Sequence, residues 1–235
     1  MAGWITHMAV ADRLFQQGLP LDAKGFCAGS IAPDCNVENE DWTVFIPPRE
    51  VTHWMTGDSK LTADYEAFYE QRICGKCFDS VEELSFYLGY DIHLMTDVEW
   101  MRFLRNPQRV SAAFSRLRAA GRIDAQDGPE TFEMLKQMFG RKMILKDAAA
   151  WEEQYVLSHQ QSFYHTVLKQ PQEYCDEWAG LPHGAIRRKI QVMLQPAEPE
   201  AVTEGLFFTK QEIEDWLHQL SASLMNHLQK RKAVI

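Results

Sequence analysis

The strongest regular pattern in the chain runs through Ser80–Leu104, where Val81, Leu84, Leu88, Ile92, Met95, Val98 and Met101 recur at helical spacing. A helix carrying such a stripe is mostly buried, and Ser80 followed three residues later by Glu83 has the form of a capping box that fixes its start. Inside that pattern His93 and Asp97 stand four residues apart and therefore share a helix face. A helix is also predicted from Trp4 to about Gln17, with Ile5, Met8, Ala9, Leu14 and Phe15 on its apolar side, His7 in its first turn and Gly18 as its natural end. Residues 18–60 differ in character, because Gly25, Gly29, Pro33, Pro47, Pro48 and Gly57 interrupt every periodic run. They read as a long irregular segment, which is uncommon unless functional, and it holds Asp34 and His53.

Beyond this region the pattern stays helical. Thr62–Arg72 suits a short helix, Val110–Ala120 another, and Glu130–Met138 resumes after a break at Gly121–Gly128. Asp147–Lys169 carries a long aromatic helical pattern that Pro171 stops, and residues 172–194 hold a helix or two. After the polar loop QPAEPEAVTEG, Thr209 with Glu212 and Phe208 with Ile213 form a capping box and hydrophobic staple, opening a helix to about Lys232. Period-2 alternation is confined to Trp42–Ile46. The pattern predicts an all-α fold, one multi-helix domain over residues 1–235 with a long irregular loop near its N-terminus.

Composition narrows the functions. Hydrophobic residues at 46% and charged residues at 24% place the chain among globular proteins. A net charge of -9 argues against a long nucleic acid as ligand, since phosphate backbones call for a concentrated basic surface. No run of 18 apolar residues predicts a membrane span, and the first residues lack the form of a signal peptide, so the expectation is a cytoplasmic protein. Five cysteines read as free thiols; Cys74 and Cys77, with Cys27 and Cys35, offer a four-thiolate zinc site as the lesser alternative.

His7, Asp34, His53, His93 and Asp97 remain as polar residues where apolar ones or turns are expected. Taken alone, the His93–Asp97 pair reads first as a satisfied core histidine, and His7, Asp34 and His53 each have a bland reading too. Together they are a nitrogen and oxygen donor set suited to Zn(II), Fe(II) or Mn(II). His159 and His165 lie six apart and read as core or surface residues, and His183, His218 and His227 as structural or solvent-facing.

The ordered motifs GWITHMAVADRL, FCAGSIAPD, VTHW and YLGYDIHLMTD resemble the zinc-dependent phospholipase C superfamily, which includes the fungal zinc-dependent single-strand nucleases. The resemblance covers roughly the first 105 residues. It implies an all-helical domain that cleaves phosphoester bonds with a cluster of metals, and a divergent cytoplasmic member here. By resemblance Asp34, His53, His93 and Asp97 match the ligands of one zinc, and His7 with Asp97 a part of another site. Three departures stand out: Trp4 is preceded by Met1-Ala2-Gly3, where secreted members bind metal through an N-terminal tryptophan; Phe103 replaces a histidine six residues after Asp97; and no later H-x-x-x-E pair exists. One well-formed site is therefore expected, one to two ions in all, with a second only if His7 recruits further ligands.

The expected function is a metal-dependent hydrolase acting on a small-molecule substrate, a phosphoester, through a metal-activated water, with Asp34 as general base. Substrate choice is assigned to residues 18–60 and to Trp42, Trp54 and Trp100. A non-catalytic metal-binding or sensor protein and a hydrolase of a non-phosphate small molecule are the alternatives. The oligomeric state is not encoded legibly.

Overall fold

The computed structural model describes residues 2–41, 43–124, 128–195 and 205–231. Trp42, the 196–204 part of the polar loop and Lys232 lie outside the described residues. The fold is all-α. Helix α1 (Trp4–Gln16) is followed by α2 (Ala23–Ile31), a 3-10 turn at Ala32–Asp34, and a minimal antiparallel ribbon of β1 (Val37–Glu38) and β2 (Phe45–Ile46). Then come α3 (Arg49–Thr52), α4 (Tyr65–Arg72), the central α5 (Val81–Arg105), α6 (Pro107–Ala119), α7 (Phe132–Ser158), α8 (Ala185–Met193) and α9 (Lys210–Lys230). Among the described residues no helix is long and apolar enough to cross a membrane.

The segment expected to be irregular contains the helix that packs most intimately on the centre. Built onto Gly29 of α2, a Cβ would stand 1.9 Å from the Phe86 carbonyl oxygen of α5, and one on Gly89 of α5 would stand 2.2 Å from the Phe26 carbonyl oxygen. Any side chain at either position meets backbone. The glycines that looked like helix breakers are therefore contact residues, and they let α2 and α5 cross at a distance larger side chains forbid. That closeness carries function, because the chain leaves α2 directly into the turn bearing Asp34.

Helix α5 starts where expected: the Ser80 hydroxyl accepts the Glu83 N–H at 3.1 Å. Its box closes one residue early, since the Glu83 carboxylate accepts from the N–H of Asp79 rather than of Ser80. Helix α1 has no side-chain cap of its own, and Glu152 of α7 takes that role, accepting the Thr6 N–H at 2.9 Å. Asp12 accepts from the Tyr155 hydroxyl at 2.7 Å and from the Phe163 N–H at 2.8 Å, tying α1 to α7 and the chain beyond it. The expected long helix ending at Lys169 is corrected in two ways. It begins earlier, running through a kink at Gly140 (φ 74°, ψ 153°), and it stops at Ser158. The Asp12 bond to Phe163 N–H draws the following chain away from the helix axis, and Tyr164–Leu168 coil separately as a wide π-type turn. Helix α9 carries the complete capping box of Thr209 and Glu212.

Candidate metal centre

Four segments bring five side chains to one buried point. Helix α5 carries His93 and Asp97 on its inward face, fully buried as the i, i+4 spacing predicts. Asp34 closes the 3-10 turn after α2, and Pro33 stiffens that turn. His53 terminates α3, where the Tyr90 hydroxyl of α5 donates to the carbonyl of Thr52 at 2.5 Å and fixes the end of the short helix against the centre. Just after it Trp54 adopts a left-handed φ of 50°, turning the chain away, with its ring held edge-on by Phe68. His7 comes from α1 and stacks on His93 with ring centroids 4.0 Å apart.

The histidines are oriented by main-chain carbonyls. His93 Nδ1 lies 2.8 Å from the Ser30 carbonyl and His53 Nδ1 lies 3.0 Å from the Arg49 carbonyl. A carbonyl only accepts, so in both rings Nδ1 carries a proton and Nε2 is turned inward. There the Nε2 atoms meet carboxylate oxygens. His53 Nε2 is 3.1 Å from Asp34 Oδ1 and 3.6 Å from Asp97 Oδ2; His93 Nε2 is 3.3 Å from Asp97 Oδ2 and 3.4 Å from His53 Nε2. Acceptor atoms this close repel one another unless a cation lies among them. A tetrahedral ion with bonds of about 2.0–2.1 Å has ligand–ligand edges of about 3.3 Å, so the donors of His53, His93 and Asp97, 3.3–3.6 Å apart, fit zinc in kind and in spacing, and Asp34 Oδ1 stands beside them against His53.

Unpaired atoms point the same way. His7 Nε2 and Asp34 Oδ2 are buried without a hydrogen-bond partner among the described residues. His7, Asp34 and His93 bring donor atoms within 4.8 Å of one another, a second grouping that overlaps the first. His93 belongs to both, and Asp97 reaches toward each: Oδ2 faces His53 and His93, while Oδ1 lies 3.9 Å from His7 Nε2 and accepts the main-chain N–H of Ala2 at 3.1 Å.

Lys60 is the residue that sequence reasoning missed. It starts a 3-10 turn at Lys60–Thr62, and its ammonium pairs with Asp97 Oδ2 and stands 3.4 Å from Asp34 Oδ1. A positive charge thus already sits between the two carboxylates. Burial pushes both carboxyls up, but Lys60 and the neighbouring imidazoles outweigh it and hold Asp34 and Asp97 well below the usual carboxylate range. Burial keeps His7 and His53 below their ordinary values, and so neutral.

Other candidates fall elsewhere. Trp100, assigned to substrate choice, is a buried core residue packed on Trp216 at 5.1 Å, so it cannot touch a ligand at the centre. Phe103 stacks with Trp216 and Phe208, which fills with aromatic rings the place where the resemblance has a histidine. His159 stacks on Tyr155 and His165 binds the Val156 carbonyl, both away from the cluster. His227 pairs with Asp91 at 3.4 Å. Cys27 and Cys35 are buried, Cys74 and Cys77 exposed, and all are free thiols. Among the described residues no candidate metal grouping includes a cysteine.

An all-helical chain with a buried cluster of imidazoles and carboxylates defines the class as a helical protein with a candidate metal centre. More particularly, residues 6–100 match the family model of zinc dependent phospholipase C, a stretch that includes His7, Asp34, His53, His93 and Asp97. The resemblance to that superfamily is thereby supported, and with it the assignment of zinc to the family's chemistry. Comparisons with curated proteins and with solved structures gave no match.

Proposed function

We propose that the protein is a zinc-dependent hydrolase that cleaves a phosphoester, with Asp34, His53, His93 and Asp97 holding one ion and His7 with Asp97 forming a second, incomplete position. The observation that carries this reading is the convergence of the His53, His93 and Asp97 donor atoms at 3.3–3.6 Å, close to the edge lengths of a tetrahedral ion, with Asp34 Oδ1 3.1 Å from His53 Nε2 and two further buried atoms unpaired beside them. Fe(II) or Mn(II) suits the same donors, and zinc is favoured by the family match. Zinc held there would polarise a phosphoryl oxygen and lower the pKa of a nearby water. Asp34 would help hold the ion, and its Oδ2, buried without a hydrogen-bond partner, could accept the proton of the attacking water. The Ser30 and Arg49 carbonyls lock the rings of His93 and His53, so these ligands keep their tautomer through the reaction.

Lys60 favours a second reading, in which its ammonium is the resident cation and the cluster a structural ion-pair core. Metal content decides between the two. Protein purified without chelator should hold near-stoichiometric zinc that is lost in His93→Ala and Asp97→Ala, and should hydrolyse a chromogenic phosphodiester only when zinc is present. A parent that takes up no zinc on reconstitution would support the structural reading. Zinc without turnover of any phosphoester would leave a binding centre or a hydrolase of another bond.

A further inference from the structure

Beside the centre lies a cavity of about 600 Å³. Arg49, Lys60, Arg105, Lys136 and Arg141 line it, against a single lining carboxylate, Asp58. In a chain of net charge -9 this is a local reversal of sign, and a cleft lined by one sign of charge concentrates ligands of the other.

The cavity is joined to the metal centre by three features. The Lys60 ammonium lies on Asp34 and Asp97. The carbonyl of Arg49 orients His53. Along α5, His93, Asp97, Met101 and Arg105 follow at four-residue steps, so one stripe of that helix runs from the candidate ligands into the cavity wall.

The cations are not equally engaged. Arg105 and Lys136 share Glu133 at 2.9 and 2.6 Å, and Lys60 serves the centre. Arg49, whose guanidinium lies 3.9 Å from the Phe45 ring centroid, and Arg141, placed by the Gly140 kink, have no carboxylate partner among the described residues. Met55, Met101 and Leu145 complete the lining with apolar surface.

We propose that this cavity is the substrate pocket of the metal centre and that it selects a small organic phosphate bearing two or more negative charges and no cationic group. The inference rests on the hydrolase reading above and gives it a substrate class. One phosphate is attacked at the centre while Arg49 and Arg141 take a second anionic group, for which their planar forks are suited. An ion entering the centre displaces the Lys60 ammonium from the two carboxylates, and the freed lysine adds its charge to the cavity it already lines. A quaternary ammonium on the substrate is repelled by the same arginines, so the pocket discriminates against a choline headgroup by charge.

Calorimetric titration of the full chain loaded with zinc tests this with three probes: a hexose bisphosphate, glycerol 2-phosphate and phosphocholine. Affinity should fall in that order. The double variant Arg49→Ala/Arg141→Ala changes two exposed side chains, and it should bind the bisphosphate at least about tenfold more weakly with its zinc content unchanged. Phosphocholine binding as tightly as glycerol 2-phosphate, or a double variant that binds the bisphosphate like the parent, overturns the proposal. The hydrolase reading fails separately: absence of turnover with the binding order intact would remove it alone, whereas turnover without a charge order would remove only the pocket.

Discussion

Replacing Lys60 by methionine removes a charge while keeping most of the side chain's volume, and the consequence depends on whether zinc is present. In the metal-free protein the ammonium balances Asp34 and Asp97, whose side chains are 2% and 0% exposed, while Lys60 itself is 13% exposed. Removing one partner of a buried pair costs about 3–5 kcal/mol, because the remaining charge stays out of water. The lower end applies here, since one end of the lysine reaches solvent. For a chain of this size about 3 kcal/mol corresponds to a melting temperature lower by roughly 6–12 °C. With zinc bound, the ion supplies the charge and the difference should largely vanish. Closing that cycle requires Lys60→Met to bind zinc about 100-fold more tightly than the parent, at about 1.4 kcal/mol per tenfold. Scanning calorimetry with and without zinc, together with competitive chelator titration, reads both quantities. Equal destabilisation in both states, or unchanged zinc affinity, would refute the placement of Lys60 in the cation position.

Three further outcomes follow from the packing and the charges. Gly29→Ala drives a methyl group into the Phe86 carbonyl, so urea denaturation should show a loss of about 1–3 kcal/mol despite the gain in helix propensity; a neutral result would mean that α2 and α5 are not in contact there. Phe103→His should leave zinc stoichiometry unchanged while destabilising the fold, because the imidazole enters a stack with Trp216 and Phe208 rather than a ligand set; an added equivalent of bound zinc would contradict this. Burial pushes the Asp91 carboxyl up, with His227 and Arg231 pulling it back, so the folded state holds that proton more tightly than the unfolded one. Its contribution is therefore full below about pH 4 and is lost as pH rises through the folded value, and Asp91→Asn should gain on the parent as pH rises above about 4. Denaturation at several pH values that shows the opposite slope would exclude the assignment.

The parts of the site that could be read from sequence are those governed by periodicity. His93 and Asp97 sit in a buried helical stripe with a capping serine, and the i, i+4 rule places them together without further information. Asp34 and His53 stood out as polar residues of a long loop, but it took the order of the family motifs to join them to the central pair, since nothing local says that a turn after α2 and the end of a four-residue helix meet the same face of α5. Helix α2 was misjudged because a glycine has one composition signal and two physical causes. Gly25 and Gly29 mark close approach to a neighbouring backbone rather than a break. The end of α7 was misplaced because a carboxylate 151 positions away, Asp12, competes for the chain after it. Lys60 gave no signal at all: a lysine in a polar stretch reads as solvent-facing, and only the fold brings its ammonium to two buried carboxylates.

Charge balance links the missing ligands to the basic cavity. With His7 and His53 neutral, a divalent ion and the carboxylates of Asp34 and Asp97 sum to about zero, so the loaded centre has no charge left for a dianionic phosphate. The family resemblance implies further ions for that purpose, but aromatic rings around Phe103 occupy the place of one lost ligand. Protein cations must then do the work, and Arg49, Lys60 and Arg141 are the ones beside the centre. Arg49 and Arg141 are exposed, so their attraction is screened over a Debye length of about 8–10 Å at physiological salt. The affinity of a bisphosphate should consequently drop steeply between low and physiological ionic strength, while zinc content stays constant because its donors are buried. An affinity indifferent to salt would mean that the phosphate is held by the centre alone, and the argument from charge balance would fall with it.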